Sequence, residues 1–188
     1  LRSIPNLTII SPADSGEAVK AVIASLEHKN SVYIRLTGGA NVHQIYDDDY
    51  DFEIGKFITL KKGKDVSIFA SGTMVKVALD AAEILSKNGI DAEVINAHTI
   101  KPVDQEKVKE SSKKSKLIVS IEEHNIIGGL GSAISECLAS IKDSPEQVFF
   151  GINDSYSEGG DYNFLKKKFN LTSESISKKK INIYKKKI

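Results

Sequence analysis

Four histidines have the widest chemical repertoire in this sequence, since an imidazole can bind a metal ion or carry a proton near neutral pH. They are His28, His43, His98 and His124. None has a second histidine or a cysteine at the spacing of zinc ligands, so a zinc site is not expected. His98 and His124 each follow a predicted strand, at the edge where α/β sheets place functional groups. Either could face a cleft or a subunit interface, or be an ordinary hydrogen-bonded histidine.

Two adjacent carboxylates, Glu122 and Glu123, invite an acid–base interpretation. Successive side chains of a strand point to opposite faces, so these two cannot act together on one substrate. One of them could still be buried and paired. Glu122 is therefore a third candidate for the cleft or interface that the two strand-end histidines suggest.

A glycine-rich segment, Asn125–Ser132, joins a predicted strand to a predicted helix. Amides at a helix N-terminus attract anions, so a phosphate site is physically conceivable there. The dinucleotide fingerprint G-x-G-x-x-G would need a third glycine where Ile134 stands, and the lysine of a P-loop is missing. Glycines that permit a tight turn and close helix–sheet packing are the preferred interpretation.

An acidic run, Asp47–Asp49 with Asp51, raises the question of calcium. An EF-hand loop that begins at Asp47 would need glycine and glutamate where Phe52 and Ile58 stand. A solvated acidic linker is the better interpretation. The residues alone therefore predict no metal site and no self-sufficient catalytic group.

Composition excludes several classes of partner. The 188 residues carry 26 Lys and Arg against 25 Asp and Glu, and a net charge of +1 attracts neither nucleic acid nor an anionic membrane. One cysteine, Cys137, allows no internal disulfide and fits a reducing, cytoplasmic setting. The longest apolar runs are strand-sized, so no membrane span is expected. Because the chain opens with Leu1 and not with methionine, we expect it to be an excised or processed fragment.

The elements that must position these groups alternate between strand and helix. A strand at Leu7–Ile10, a helix with apolar positions Ala18, Val22 and Leu26, and a strand at Val32–Leu36 come first. A polar connector follows, and a regular alternation then begins after Gly63. Its predicted strands are Val66–Ala70, Ile90–Ala97, Leu117–Glu122 and Gln147–Phe150, and its predicted helices are Thr73–Asn88, Asp104–Lys114, Gly128–Ile141, Tyr162–Phe169 and Ser173–Lys186. This pattern predicts an α/β fold with a predominantly parallel sheet flanked by helices.

The order of several segments resembles the transketolase family. The end of its pyrimidine-binding domain is similar to the segments Ile4–Asn6 and Ser11–Asp14, together with Glu17. The C-terminal domain of the family is similar to four later segments, Ala97–Asp104, Glu122–Ala133, Asn153–Gly160 and Phe169–Thr172. The pattern is most like that of transketolases encoded as two subunits, with this chain as the C-terminal one. The resemblance implies that residues 1–61 are the tail of a pyrimidine-binding α/β domain plus a linker, and that residues 62–188 are the transketolase C-terminal domain.

The resemblance also implies a chemistry. Transketolases transfer two-carbon ketol units between sugars with thiamine diphosphate and a divalent metal, Mg²⁺ or Ca²⁺, held at a dimer interface. The family's coenzyme-activating glutamate and its substrate-channel histidines belong before the position of Leu1. We therefore expect this chain to bind no coenzyme, to carry no catalytic residue and to be inactive alone. Its expected role is to support a dimer together with an N-terminal transketolase subunit or domain.

One position departs from the family. Where transketolases commonly carry an arginine that grips the sugar phosphate, this chain has Gly38, with Thr37 before it and Arg35 three residues earlier. These three residues are the candidates for substrate binding that the resemblance suggests. Strand alternation would aim Arg35 and residue 38 in opposite directions. Since a guanidinium–phosphate pair is a strong and specific contact, its loss suggests an acceptor other than an ordinary sugar phosphate.

Three alternatives stay open. Deoxyxylulose-phosphate synthase and the β subunit of 2-oxo acid dehydrogenases share this C-terminal domain by resemblance. The run from His98 to Ile100 and the run from Glu122 to His124 favour transketolase. From a different class, the chain could be a non-catalytic assembly or ligand-sensing module.

Overall fold

A computed structural model describes residues 1–37 and 43–185 of the chain. Its elements are β1 (Leu7–Ile10), α1 (Ser15–Leu26), β2 (Ser31–Ile34), β3 (Ile58–Lys61), β4 (Val66–Ala70), α2 (Met74–Lys87), β5 (Ala92–Asn96), β6 (Thr99–Lys101), α3 (Gln105–Lys114), β7 (Leu117–Asn125), α4 (Leu130–Leu138), β8 (Glu146–Ile152), α5 (Tyr162–Lys168) and α6 (Ser173–Lys185). No helix in these described ranges is long and apolar enough to cross a membrane.

The larger sheet has the strand order β3-β5-β4-β7-β8. Four of its strands are parallel, and β3 joins one edge antiparallel to β5. The chain leaves β4 for β5 on one side and reaches β7 on the other, so the sheet has a topological switch point at β4. The predicted fold class, an α/β fold with a mostly parallel sheet flanked by helices, is confirmed.

Helices cover both faces of this sheet because successive strand residues point to opposite sides. On one face Val66, Ile68 and Ala70 pack with apolar residues of α2 and α6. On the other face Phe69 and Ile118 pack with apolar residues of α3 and α4. The central strands β4 and β7 are buried on both sides over Val66–Ala70 and Leu117–Glu122, which explains their nearly continuous apolar runs.

The smaller sheet has the order β2-β1-β6, with β1 parallel to β2 and antiparallel to β6. The sequence predicted neither β6 nor β3. β6 is three residues long and β3 four, and each is held by pairing with a strand far away in the chain. Such pairing leaves no local periodicity to detect.

Helix α1 begins at the cap residue Asp14, whose side chain accepts a hydrogen bond from the Glu17 amide. Its apolar residues are mostly outside any core in this structure. Val22 is 50% exposed and Leu26 is 80% exposed, whereas Ala21 and Glu17 are buried. The inward face of the helix is thus set by one small and one charged residue.

Candidate functional site

A cleft of about 150 Å³ lies where the carboxyl ends of the two sheets meet. Ser11 and Arg35 directly follow β1 and β2 on one wall, and Ser71 directly follows β4 on the other. The Gly72 amide donates to the Ser11 carbonyl over 3.1 Å, so the two walls are bonded at their base. In α/β folds, the crevice beyond the carboxyl strand ends at a switch point is the usual place for ligands.

Glu122 forms part of this cleft, but the residue is only 3% exposed and both of its carboxylate oxygens accept hydrogen bonds. It accepts the backbone amide of Leu130 over 2.8 Å and that of Gly131 over 2.9 Å, at the start of α4. Burial raises the pKa of Glu122, and the two amide bonds offset part of that rise. The chain's own carboxylate therefore occupies the helix N-terminus at which an external anion would bind.

The glycines of the loop make this arrangement possible. A Cβ on Gly129 would lie 1.9 Å from Glu122 Oε2, and a Cβ on Gly131 would lie 2.4 Å from the Phe149 ring. Gly128 has φ of +77°, which favours glycine. Close helix–sheet packing, the preferred interpretation of this segment in the sequence, agrees with these distances.

Glu123 points away from Glu122, as strand alternation requires. Its Oε2 accepts the hydroxyl of Thr73 over 2.8 Å and that of Tyr162 over 2.7 Å. Its backbone carbonyl accepts Arg35 Nη2 over 2.9 Å. Through these contacts Glu123 joins the carboxyl end of β7 to Arg35, after β2, and to Tyr162 in α5.

The charges that line the cleft are balanced and bonded within the protein. Arg2 pairs with Glu136 over 2.5 Å and reaches the Gly129 carbonyl over 3.4 Å. Both guanidinium groups of the cleft therefore already have partners within the protein, and so do the two carboxylates that line it, Glu122 and Glu123. An anion gains little from such a site, and the arrangement acts as a joint between the two sheets. Arg2 was not anticipated from the sequence, since nothing local to it predicts this contact.

The two strand-end histidines lie in different environments. His124 is exposed, lines the cleft and contacts the Asn125 carbonyl through Nδ1 over 2.9 Å. His98 is fully buried outside the cleft, with its ring 4.4 Å from that of Phe52. Its Nδ1 lies 2.9 Å from Thr99 Oγ1, whereas Nε2 has no hydrogen-bond partner among the described residues.

Two of the three residues proposed for substrate binding, Arg35 and Thr37, follow the end of β2. Arg35 is held against the Glu123 carbonyl, and half-buried Thr37 faces the neighbourhood of Gly72. Gly38 lies outside the described residues. A substrate-binding role for these residues stays a prediction.

This chain is similar to known proteins in sequence and, for a solved structure, in fold. Residues 55–176 match the family described as transketolase, C-terminal domain. The 6-deoxy-6-sulfo-D-fructose transketolase subunit SqwH of Clostridium sp. (strain MSTE9) is 42% identical over 94% of this chain, which covers 54% of that protein. The 1-deoxy-D-xylulose-5-phosphate synthase of Caldanaerobacter subterraneus subsp. tengcongensis is 38% identical over 98% of this chain, which covers 30% of it.

A solved structure described as a split-gene transketolase in an inactive beta4 tetramer superimposes with a TM-score of 0.86. It is 38% identical, and the alignment covers 94% of this chain and 56% of that one. The chain therefore spans about half the length of the first of these relatives and of the solved structure, and less than a third of the synthase.

Proposed function

This chain belongs to the transketolase C-terminal domain family, and we propose that it is the C-terminal part of a larger enzyme that transfers two-carbon ketol units between sugars. The observation that carries the proposal is the match of residues 55–176 to the family, together with 42% identity to a transketolase subunit. We further propose that the larger enzyme is cytoplasmic and dimeric.

The coenzyme of such an enzyme would be thiamine diphosphate with a divalent metal, which supplies the carbanion chemistry of the family. The described residues of this chain do not fit that group. The amides at the start of α4 are taken by Glu122, and the described ranges contain no group of three or more His, Cys, Asp or Glu side chains able to hold a metal ion. We therefore assign the coenzyme to an N-terminal subunit or domain and assign no reaction step to this chain.

What this chain would supply is a rigid junction. Arg35 ties the short sheet to β7 itself, and Arg2 ties the N-terminal segment to the loop after β7. Division into a pyrimidine-domain tail, residues 1–61, and a C-terminal domain, residues 62–188, remains part of the proposal. In it, the junction would hold the tail at a fixed angle to the C-terminal domain, so that the partner's coenzyme site is completed in one geometry.

For the sugar, we propose a substrate whose anionic end is not an ordinary phosphate. Gly38 stands where the family's phosphate-binding arginine is expected, and Arg35 is already bonded to the Glu123 carbonyl. The relative at 42% identity is named for a sulfonated sugar. A sulfonate carries one negative charge where a phosphate carries nearly two, so it depends less on a bidentate guanidinium.

A second candidate is deoxyxylulose-phosphate synthase, because a synthase of that name is 38% identical over nearly the whole chain. The two reactions differ in their donor. Product analysis of the complete enzyme with pyruvate against ketose donors would separate them.

The proposal is tested with the chain alone and with the complete enzyme, meaning this chain joined to the subunit or upstream residues that bind the coenzyme. We expect ketol transfer from the complete enzyme, and no calorimetric uptake of thiamine diphosphate with Mg²⁺ by residues 1–188 alone. Metal-dependent uptake by the chain alone would overturn the assignment.

The substrate proposal is tested by the kinetics of the complete enzyme. Equal kcat/KM for 6-deoxy-6-sulfofructose and xylulose 5-phosphate would contradict it. The variant Gly38→Arg should shift the substrate preference toward the sugar phosphate.

A further inference from the structure

A second cavity lies at the outer edge of the larger sheet, and the proposed function does not use it. Its volume is about 520 Å³, which is within the range that small-molecule ligands occupy. Gly151 and Asn153, at the carboxyl end of the edge strand β8, line one side of it. Ser175, Lys178 and Lys179, in the first turns of α6, line the other side.

Aromatic rings form the apolar part of the lining and hold one of the lysines in place. Phe150 is buried, and Phe169 packs against the same core. Lys179 Nζ lies 5.0 Å from the centre of the Phe150 ring, which is within the range of a cation–π contact. The ammonium group of Lys179 is therefore positioned at the cavity.

The polar side chains of this lining are hydrogen-bond donors. The two ammonium groups can only donate, and the amides of Asn153 and Asn170 can donate through their nitrogens. Ser175 Oγ accepts the Thr172 hydroxyl over 3.1 Å, which leaves the Ser175 proton available to a ligand. Within the described residues, no carboxylate lines the cavity. A lining of this kind favours an anion over a cation.

The donors of the cavity are not used by the protein itself. In the part of the chain that the structure describes, Lys178 and Lys179 form no ion pair. The side-chain amides of Asn153 and Asn170 form no hydrogen bond with the described residues either. An anion that enters this cavity therefore displaces no protein partner, whereas in the cleft both guanidinium groups are already bonded.

The sequence that surrounds the cavity is strongly basic. Residues 162–188 include nine lysines and one carboxylate, Glu174, although the whole chain has a net charge of only +1. The lysines form three runs, residues 166–168, 178–180 and 185–187. Such a concentration of one charge raises the local potential and draws anions toward the surface that carries it.

We propose that this cavity binds a small organic anion through its phosphate or sulfonate group. Lys178 and Lys179 pair with the charge of the group, and Asn153, Asn170 and Ser175 donate to its oxygens. A phosphate or sulfonate offers three acceptor oxygens to these converging donors, whereas a carboxylate offers two. The carbon part of the ligand contacts the aromatic part of the lining.

The cavity and the cleft are separated by a single residue of β8. Gly151 lines the cavity, and a Cβ on it would lie 2.8 Å from the His124 carbonyl oxygen and 3.3 Å from Glu122 Cγ. Both of those residues line the cleft. Because the two sites are so close, variants and not perturbed positions alone must decide which of them an anion occupies.

A ¹H–¹⁵N NMR titration of the full chain measures the binding. The probes are methyl phosphate and, separately, methanesulfonate, at an ionic strength held constant with NaCl. We expect saturable shifts at the backbone amides of Gly151, Asn153 and Ser175. A saturable response to either probe supports the site and shows which group it accepts. The absence of a saturable response to both would overturn the proposal.

The lysines are tested against a matched pair. Lys178→Gln with Lys179→Gln should weaken binding about tenfold or more, because two charge-assisted contacts are lost. Lys109→Gln with Lys113→Gln removes the same charge from exposed positions of α3, on the other face of the sheet. This control should change the affinity by less than about twofold, since salt screens such distant charges. Equal losses in the two pairs would reduce the binding to general counter-ion attraction and overturn the site.

A further pair tests the cavity without changing its charge. Asn153→Ala with Asn170→Gly removes two donors, and glycine keeps the left-handed backbone of Asn170, whose φ is +56°. We expect the affinity to fall about fivefold or more. An unchanged affinity would contradict the assigned donors. Loss of binding in Arg2→Gln, together with its retention in the Lys178 and Lys179 pair, would assign the anion to the cleft and likewise overturn the proposal.

Discussion

Glu122 Oε2 accepts the backbone amide of Leu130 over 2.8 Å, so a strand-end carboxylate caps the helix that follows it eight residues later. A second bond from Gly131 completes the cap. Backbone donors at a helix N-terminus need a partner when buried, and a carboxylate is the strongest one available in this chain. The cap explains why a glycine-rich strand-to-helix turn does not have to bind phosphate in this fold.

Replacing Glu122 with Gln should destabilise the chain. A glutamine keeps one acceptor oxygen, but its NH₂ group would face the second backbone amide and leave that donor unsatisfied. We expect a loss of about 1–3 kcal/mol in the free energy of unfolding, measured by urea denaturation. Glu83→Gln, on the exposed face of α2, should change it by less than about 0.5 kcal/mol. Equal effects of the two substitutions would contradict the cap.

The loop glycines allow a sharper test of the same contact. Gly129→Ala places a Cβ 1.9 Å from Glu122 Oε2, so the loop or the carboxylate must move. We expect a loss of about 1–3 kcal/mol, as for other overpacked sites. Gly159→Ala is the matched control, because no heavy atom lies within 4 Å of its added Cβ. Thermal unfolding of both variants gives the comparison, and an unaffected Gly129→Ala would show that the loop is loosely packed.

Much of the fold could be predicted because its strands and helices carry local signals. The strand Val66–Ala70 was predicted with its observed bounds. The predicted helix Asp104–Lys114 is observed as α3, Gln105–Lys114, with Asp104 as its cap. The resemblance to transketolases is confirmed at the level of the family. β6 was missed because it is held by pairing with Ile9 and Ile10 of β1, some ninety residues away.

The candidate site was harder to predict. Strand alternation predicted that Glu122 and Glu123 cannot act together on one substrate, but it could not say which one is buried. That outcome depends on the glycines of the loop, which let α4 approach the Glu122 carboxylate. The contacts of buried Glu17 were also out of reach, since its partners Tyr46 and Asn96 are 29 and 79 residues away. A polar contact over such a distance has no periodic trace in the sequence.

Glu93 should stabilise the fold chiefly above acidic pH. It is 1% exposed and accepts Lys114, Lys107, Ser67 and Ser111. Burial alone would raise its pKa, but bonds from Lys114, Ser67 and Lys107 outweigh burial, so the pKa ends below the ordinary value. Its stabilisation is therefore present above the ordinary carboxyl pKa and is lost as pH falls through the lowered one.

Glu93→Gln tests that dependence. It removes the charge from two charge-assisted bonds, and we expect a loss of about 2–3 kcal/mol at pH 7 that shrinks as pH falls below 4. Glu110→Gln is the control, because Glu110 contacts the same two lysines from an exposed position. Its effect should be below about 1 kcal/mol. Urea denaturation at pH 7 and pH 3.5 distinguishes the two, and similar losses for both variants would refute the buried network.

His98 should make the chain less stable in mild acid. Burial lowers the pKa of His98 from 6.5 to about 4, and the Lys56 backbone and the charge of Asp104 offset only part of that change. The unfolded chain therefore takes up a proton near pH 6.5, whereas the folded chain takes it up near pH 4. Between these values the unfolded state binds more protons, so the free energy of unfolding falls as pH falls. The histidine contributes up to about 1.4 kcal/mol per pH unit to that slope.

His98→Gln should remove this contribution, because an uncharged side chain against Phe52 has no proton to take up. We expect the variant to be less stable than wild type at pH 7, where it loses the packed ring, and to close that gap as pH falls toward 4. His124→Gln, at an exposed position, should leave the wild-type slope unchanged. Chemical denaturation at half-unit steps from pH 4 to 7 measures the three slopes. Parallel curves for wild type and His98→Gln would mean that His98 titrates normally in the fold, and its buried position beneath Phe52 would then have to open to water.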